Sequence, residues 1–465
     1  MILYILEVDM SLNPVFERFV EKSPISVMAR GTMERVLSPE QLNEWFDKTA
    51  QNQYTRELLF SSVFDIMSRV VLDSHPSVNA AYQASEEDIA VSVTSVYNKL
   101  NGIEANTSAE LVRYAAGEIK PVIKKLEGTV KPLLPGFRVK LLDGNCIGAT
   151  EHRIKELRSL AAGALPGKSL VVFDPSLRIP IDVFPCEDGH AQERSLLGDV
   201  LPTVKAKDVW INDRNFCVVS FLCGIADKKA YFINRLHENF PWESLGKEKY
   251  LGKIETGKVY EQPILVVDES GKEWKFRLIR VSLKKATRDG DKEIFIITNL
   301  SKSVAHGKKI ADLYRKRWKI ETAFQELTEH LNSEINTLGY PPAALFGFCV
   351  ALVSYMILSV IKAALSSVYG AETVDNEVSG YYVADEISGT YRGMIIAIRD
   401  EEWAEFRYFS QSEFVMILKQ LARNVKLPRF RKHPRGPKKP VPKRKFDPKH
   451  PHVSTARLLA SRKKR

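Results

Sequence analysis

Apolar residues recur at helical spacing through roughly the first 130 positions, and then the pattern changes to strand-like runs. Ser38-Pro39-Glu40 predicts a helix start, with Ser as N-cap and Pro in the first turn, followed by Leu42, Trp45 and Phe46. Ser85-Glu86-Glu87-Asp88 predicts another, carrying Ile89, Val93 and Val96. A turn at Asn101-Gly102 and a helix beyond Ser108 complete an outline shared by helix–turn–helix DNA readers and ordinary bundles. After Pro132 and Pro135-Gly136, strands are expected over Phe137–Leu142, Leu170–Phe173 and Ile179–Phe184. A helix near 195–204, a strand over Asp208–Asp213, another helix and the strand Tyr231–Ile233 follow, which together predict a mixed α/β sheet.

Between about 240 and 295 the pattern is β. Trp274, Phe276 and Leu278 alternate with Lys275 and Arg277, while Ser270-Gly271 and Asp289-Gly290 mark turns. A small β-rich subdomain is expected here, with Ile294–Ile297 returning to the main sheet. One helix is then expected from about Lys308 to Leu331, with Leu313, Ile320, Phe324, Leu327 and Leu331 as its apolar stripe. From Ala343 to Ile361 no residue is charged. That length matches a membrane span, but a helix apolar all round is equally the centre of a large core, and Gly347, Cys349, Ser354 and Ser359 favour the core.

Charge changes the picture at the C-terminus. Residues 425–465 hold 16 Lys/Arg against one acid, Asp447, a net of +15 in a chain of net +11, so the remainder carries −4. Arg429-Phe430-Arg431-Lys432 and Lys443-Arg444-Lys445, broken by prolines, suit a polyanion, most simply nucleic acid. The five scattered cysteines include no C-x-x-C pair, which argues against a disulfide framework or zinc ribbon and fits a reducing compartment. The run from Met1 to Met10 contains Glu7 and Asp9 and does not read as a secretory signal, and Met10 is a possible alternative start.

The candidate chemistry lies in the α/β region. Tyr314, Arg317 and Glu321 share one flank of the expected helix, and Asp143 and Asp213 each end an expected strand. Three acids could form an oxygen cage for Mg²⁺, with Arg317 ready for a phosphate. Taken singly, each has a plainer reading. Arg317 and Glu321 could be an i,i+4 pair on a solvated face, and Asp143-Gly144 an ordinary turn.

Taken together, Leu142-Asp143-Gly144, Ile211-Asn212-Asp213-Arg214-Asn215-Phe216 and Tyr314-Arg315-Lys316-Arg317-Trp318-Lys319-Ile320-Glu321 resemble the catalytic motifs of DDE transposases. The resemblance is closer to the insertion-sequence-four family, with its Tyr-x2-Arg-x3-Glu-x6-Lys signature, and runs from about Phe137 to Leu331. It departs at one point: the signature lysine would fall at Thr328. It implies a ribonuclease H-like mixed sheet with a β-rich insertion between the second Asp and the Glu. The helical domain would be 1–133 and bind DNA, the catalytic domain 134–365, a helical region 366–424 and a basic tail 425–465. Asp143, Asp213 and Glu321 would hold two Mg²⁺ ions, which Mn²⁺ can replace. Arg317, Arg214 and Tyr314 would contact phosphates, and Trp318 would stack beside a displaced base or else pack in the core. The expected partners are transposon-end and target DNA, with a homodimer in the synaptic complex, no membrane, and a prokaryotic cytoplasmic setting. A relative that binds DNA without cutting it is the alternative.

Overall fold

The structure is a computed structural model describing residues 14–53, 57–147, 163–287, 290–335, 337–433 and 452–463. The Met1–Met10 start, the turn residue Asp289 and the basic run Lys443-Arg444-Lys445 lie outside the described residues. Seven helices come first: α1 (Pro14–Lys22), α2 (Pro24–Val36), α3 (Pro39–Thr49), α4 (Phe60–Val71), α5 (Val78–Gln83), α6 (Val93–Gly102) and α7 (Ala105–Lys125). Strands β1 (Arg138–Ile147), β2 (Gly163–Leu165), β3 (Gly167–Asp174) and β4 (Ile179–Cys186) lead to the short α8 (Leu197–Val200). Next are β5 (Asp208–Asn212), α9 (Val219–Asp227) and β6 (Tyr231–Arg235). The strands β7 (Glu243–Ser244), β8 (Lys249–Lys253), β9 (Gly257–Val267), β10 (Glu273–Leu283) and β11 (Glu293–Thr298) follow. Helices α10 (Gly307–Arg315), α11 (Trp318–His330), α12 (Pro341–Tyr369), α13 (Ala371–Glu377), α14 (Gly380–Ala397), α15 (Asp400–Tyr408) and α16 (Gln411–Asn424) precede β12 (His452–Ser454) and α17 (Thr455–Lys463).

Two units emerge, each assembled from separated stretches of chain. One comprises 1–129, 148–164 and 326–453; the other comprises 130–147, 165–325 and 454–465. In the first, α12 is the central helix, packed by α2, α4, α6, α7, α13 and α16. It is the one helix among the described residues long and apolar enough to cross a membrane, and 94% of that apolar window is buried. The sequence had grouped it with the sheet, up to residue 365. Its packing instead joins it to the N-terminal helices, because its apolar surface runs all the way round and needs helices on every side. Local signals set several of these helices. Ser38 caps α3 in a capping box with Gln41, as its Ser-Pro-Glu start predicts. The expected helix at Ser85 begins later. Residues 86–88 form only a 3₁₀ turn, and Ser92 caps α6 by accepting the Ser95 N–H. Asn101 and Gly102 are not a turn but the last residues of α6, and α7 already begins at Ala105.

The second unit is built on one ten-stranded sheet in the order β4-β3-β1-β5-β6-β11-β10-β9-β7, with β8 also paired to β9. β1, β5 and β6 run parallel, whereas β3 is antiparallel to both β1 and β4, so the sheet is mixed. The edge strand β4 carries Pro180, Asp182 and Pro185, residues that discourage further pairing. The β-rich stretch is not a separate subdomain. β11 pairs with β6 on one side and β10 on the other, so the inserted strands extend the main sheet without a break. Ile264, Val266, Phe276 and Leu278 join the same apolar layer as Trp210 and Phe232. Phe232 and Phe276 meet edge to face with centroids 5.1 Å apart. That shared layer explains the continuity: an isolated hairpin buries too little apolar surface to stand alone.

Candidate active site

The alternation of side chains sorts the central strands into two faces. Register pairs Leu142 with Asn212 and Asn212 with Asn234, so Leu142, Trp210, Asn212, Phe232 and Asn234 share one face. Asp143 and Asp213, each one step further on, fall on the opposite face, beside one another where the parallel pairing of β1 and β5 ends at Leu142 and Asn212. Asp213 directly follows β5, as expected. Asp143 does not end its strand. β1 continues to Ile147 because β3 keeps pairing with it, matching Asp143 to Val171 and Ile147 to Gly167. Gly144 is therefore not a turn residue. A Cβ there would lie 2.2 Å from Glu193 Oε1 and 2.5 Å from its Cδ, so glycine admits the Glu193 side chain.

The expected helix of 308–331 is two helices. α10 ends at Arg315, and the chain then tightens: Lys316, Arg317, Lys319 and Ile320 donate their N–H groups three residues back, to Leu313, Tyr314, Lys316 and Arg317. α10 packs over β5, β6, β8, β9 and β10, burying Ile310, Ala311, Leu313 and Tyr314. The break frees Arg317 from the fixed phase of one long wheel.

The result is one linked network, since Tyr314 and Arg317 also hydrogen-bond each other. The Tyr314 hydroxyl donates to Asp213 Oδ1 at 3.2 Å. Arg317 donates from one terminal nitrogen to Asp143 Oδ2 at 2.9 Å and pairs through the other with Glu321 Oε1 at 2.5 Å. The guanidinium thus bridges two of the three acids, while its Nε is buried with no partner among the described residues. Arg317 is only 7% exposed, so the pair with Glu321 is not the solvated surface pair the spacing also allowed.

Electrostatics follow from this burial. Desolvation pushes the Asp143 carboxyl up to about 7; Arg317 and the Gly144 N–H pull it back down, and Glu321 and Asp213 push it further up. Burial also raises the Tyr314 phenol, with Asp213 adding to it. For Arg317 burial works against the charged form, but Asp143 and the neighbouring Tyr314, Asp213 and Glu321 outweigh it and hold the guanidinium charged.

The expected cage of three acids is not assembled in this arrangement. Among the described residues no group of three or more ligand-type side chains stands close enough to hold a metal ion together. The physical reason is Arg317, which occupies the position of counter-ion between Asp143 and Glu321. The donor set nonetheless suits a divalent ion in kind. All three are carboxylates, the oxygen ligands Mg²⁺ prefers, and Asp143 is an acid whose burial Arg317 does not fully offset.

The remaining candidates separate. Trp318 is 63% exposed at the start of α11, which excludes a core role. Arg214 is exposed in the turn after Asp213, near Asp291. Thr328, two turns beyond Glu321 on α11, is exposed and lines a polar cavity with Asp73, Tyr381 and Asp385.

Residues 136–356 match the family described as Transposase DDE domain. That stretch contains Asp143, Asp213, Tyr314, Arg317 and Glu321. A relative from Sinorhizobium fredii (strain NBRC 101917 / NGR234), named "Putative transposase y4zB", is 25% identical over 199 residues. The match covers 42% of this chain and 52% of that relative, so the chain spans about half the relative's length. Among solved structures, a piggyBac transposase synaptic complex with hairpin DNA is similar at 10% identity and a TM-score of 0.37, covering 84% of this chain and 86% of that one.

Proposed function

We propose that this protein is a DNA transposase with a ribonuclease H-like catalytic core and that Asp143, Asp213 and Glu321 are its catalytic acids. The observation that carries the reading is their placement. Asp143 and Asp213 leave the ends of the paired stretch of two parallel strands on the same face, and Tyr314 and Arg317 reach both from one side. The strand order β4-β3-β1-β5-β6, with β3 antiparallel, supports a ribonuclease H-like sheet. The domain match over 136–356 supports the same class.

On this reading Asp143, Asp213 and Glu321 would hold two divalent ions, Mg²⁺ or Mn²⁺ in its place, whose chemistry there would be activation of the attacking oxygen and stabilisation of the leaving one in phosphodiester hydrolysis and strand joining. Tyr314 keeps the Asp213 carboxylate oriented through its hydroxyl. Arg317 compensates the charge of Asp143 and Glu321, and its donors, including the unpartnered Nε, suit contact with a phosphate beside them. Arg214 and the exposed Trp318 ring flank the site for contact with the strand being cut, Trp318 by stacking on a base. The partners are transposon ends and target DNA. A homodimer brings two ends together, and the setting is the DNA of a prokaryotic cytoplasm. The helical region of residues 1–133 serves as a DNA-binding domain, and the basic tail of 425–465 adds sequence-independent grip on DNA.

One observation favours a second reading, in which the chain binds ends without cutting. Thr328 places no charge where the signature of the resembled family has lysine. Incubating the protein, in Mg²⁺, with DNA from either side of its gene, and with any inverted repeats found there, separates the two. Strand cleavage at the repeat boundary supports the first reading, and retention of the DNA without cleavage supports the second.

A further inference from the structure

Directly behind Asp213, on the face of the sheet turned away from Tyr314 and Arg317, two asparagines stand side by side. β5 reads Val209-Trp210-Ile211-Asn212 and β6 reads Tyr231-Phe232-Ile233-Asn234, three apolar residues and then Asn in each. The parallel register sets Asn212 opposite Asn234. Both are fully buried, on the face that carries Leu142, Trp210, Phe232 and Ile297. A buried amide left short of partners is destabilising by about 1–3 kcal/mol. Asn212 reaches no hydrogen-bond partner through either amide atom among the described residues. For packing alone, an aliphatic residue would serve this layer better.

Asn234, by contrast, is engaged through its Nδ2, while its Oδ1 finds no hydrogen-bond partner among the described residues. Its Nδ2 donates to the Asp213 carbonyl at 3.2 Å and to the Arg235 carbonyl at 2.8 Å. Asp213 lies one residue beyond the last β5–β6 pair, so the sheet ladder no longer supplies its carbonyl with a partner. Two other donors take over: the Phe216 N–H at 3.1 Å, which closes the 3₁₀ turn Arg214–Phe216, and the Asn234 amide. The same residue accepts the Tyr314 hydroxyl at its carboxylate. Asp213 is therefore held by its backbone from one face of the sheet and by its side chain from the other.

We infer that Asn234 is a positioning residue for the acid site, fixing the Asp213 peptide so that the carboxylate departs from the end of β5 in a single direction. The inference rests on the reading of Asp213 as a catalytic acid. Asn234 touches neither DNA nor the reacting atoms; it acts through the Asp213 carbonyl. A polar residue kept in an apolar layer for this purpose exchanges stability for a fixed functional geometry.

Asn234→Leu tests it, with Asn234→Ala removing the same donor without added bulk and Asn212→Leu controlling for a change of polarity on the same face. The readouts are the melting temperature, end-DNA affinity, and single-turnover cleavage at saturating end DNA in Mg²⁺. Positioning predicts that both Asn234 variants bind end DNA as the wild type does but cleave about a hundredfold more slowly. It also predicts an unaltered rate for Asn212→Leu. A wild-type rate at saturating DNA in either Asn234 variant overturns the inference, as does a rate loss shared equally by Asn212→Leu. Asp213→Asn is run alongside. If it is inactive while Asn234→Leu is fully active, the positioning role alone fails. If Asp213→Asn also cleaves normally, the acid-site reading fails with it.

Discussion

The two aspartates of the site sit beside one another and yet are held in opposite ways. Asp213 is fixed by uncharged donors, Tyr314 at the carboxylate and Asn234 and the Phe216 N–H at the carbonyl. Asp143 is fixed by a cation, Arg317, which it shares with Glu321. Uncharged donors hold a group whatever charges arrive nearby. A cation can be displaced by another cation. The Asp213 side is thus the half of the site held by uncharged donors, and the Asp143–Glu321 side the half held by a shared cation.

Breaking each half should show the difference in stability first. Arg317→Gln strips a buried guanidinium from two carboxylates and should destabilise the metal-free protein by about 3–5 kcal/mol, the cost of breaking a buried pair. Tyr314→Phe removes one hydrogen bond from an uncharged donor to a carboxylate and should cost about 1.5–3 kcal/mol at most. Urea unfolding of both variants checks this. Equal losses would erase the distinction between the two halves.

Much of this was legible in the sequence, and the misses have physical causes. The strands announced themselves by continuous or alternating apolar runs, and the three acids by their spacing around them. The break at Lys316-Arg317 did not, because Leu313, Ile320, Leu327 and Leu331 keep a helical period across it while the hydrogen bonds shift to the tighter pattern. Asp143 looked like a strand end because Gly144 follows it, but β3 holds β1 extended to Ile147 and the glycine serves Glu193. The β-rich stretch looked separate because its continuity with the main sheet depends on long-range pairing of β11 with β6 and β10, which no local window contains. Asn234 had a signal that could have been found: the same apolar-apolar-apolar-Asn run occurs in both neighbouring strands.

The pH dependence should sharpen the comparison further. The Asp143 carboxyl is pushed up to about 7, chiefly by burial, from the ordinary aspartate value of 3.8. Between those values the folded state keeps a proton that the unfolded chain has lost, so this contribution to stability is present below about 4 and is lost as pH rises through about 7. The melting temperature of the wild type should therefore fall more between pH 5 and pH 8 than that of Asp143→Asn. Glu386, also raised to about 7 by burial, contributes equally to both proteins and cancels in the difference. Identical pH slopes in the two proteins would show that Asp143 titrates as an ordinary surface acid.

The smallest effect is expected at Thr328, on the far end of α11 from Arg317. Thr328→Lys adds one positive charge at an exposed position, and a single phosphate contact of this kind is worth about 1 kcal/mol, or severalfold in end-DNA affinity at low salt. A gain that disappears at high salt fits the reading. No gain at any salt would detach Thr328 from the DNA path.

The central claim is that Asp143, Asp213 and Glu321 act as one catalytic set although Arg317 now bridges only two of them. Single-turnover cleavage of end DNA in Mg²⁺ by Asp143→Asn, Asp213→Asn and Glu321→Gln, each verified as folded and DNA-binding, tests it most directly. The account predicts that every one of the three loses at least about a thousandfold in rate, roughly 4 kcal/mol of transition-state stabilisation. Cleavage within a fewfold of wild type by any one of them would contradict it.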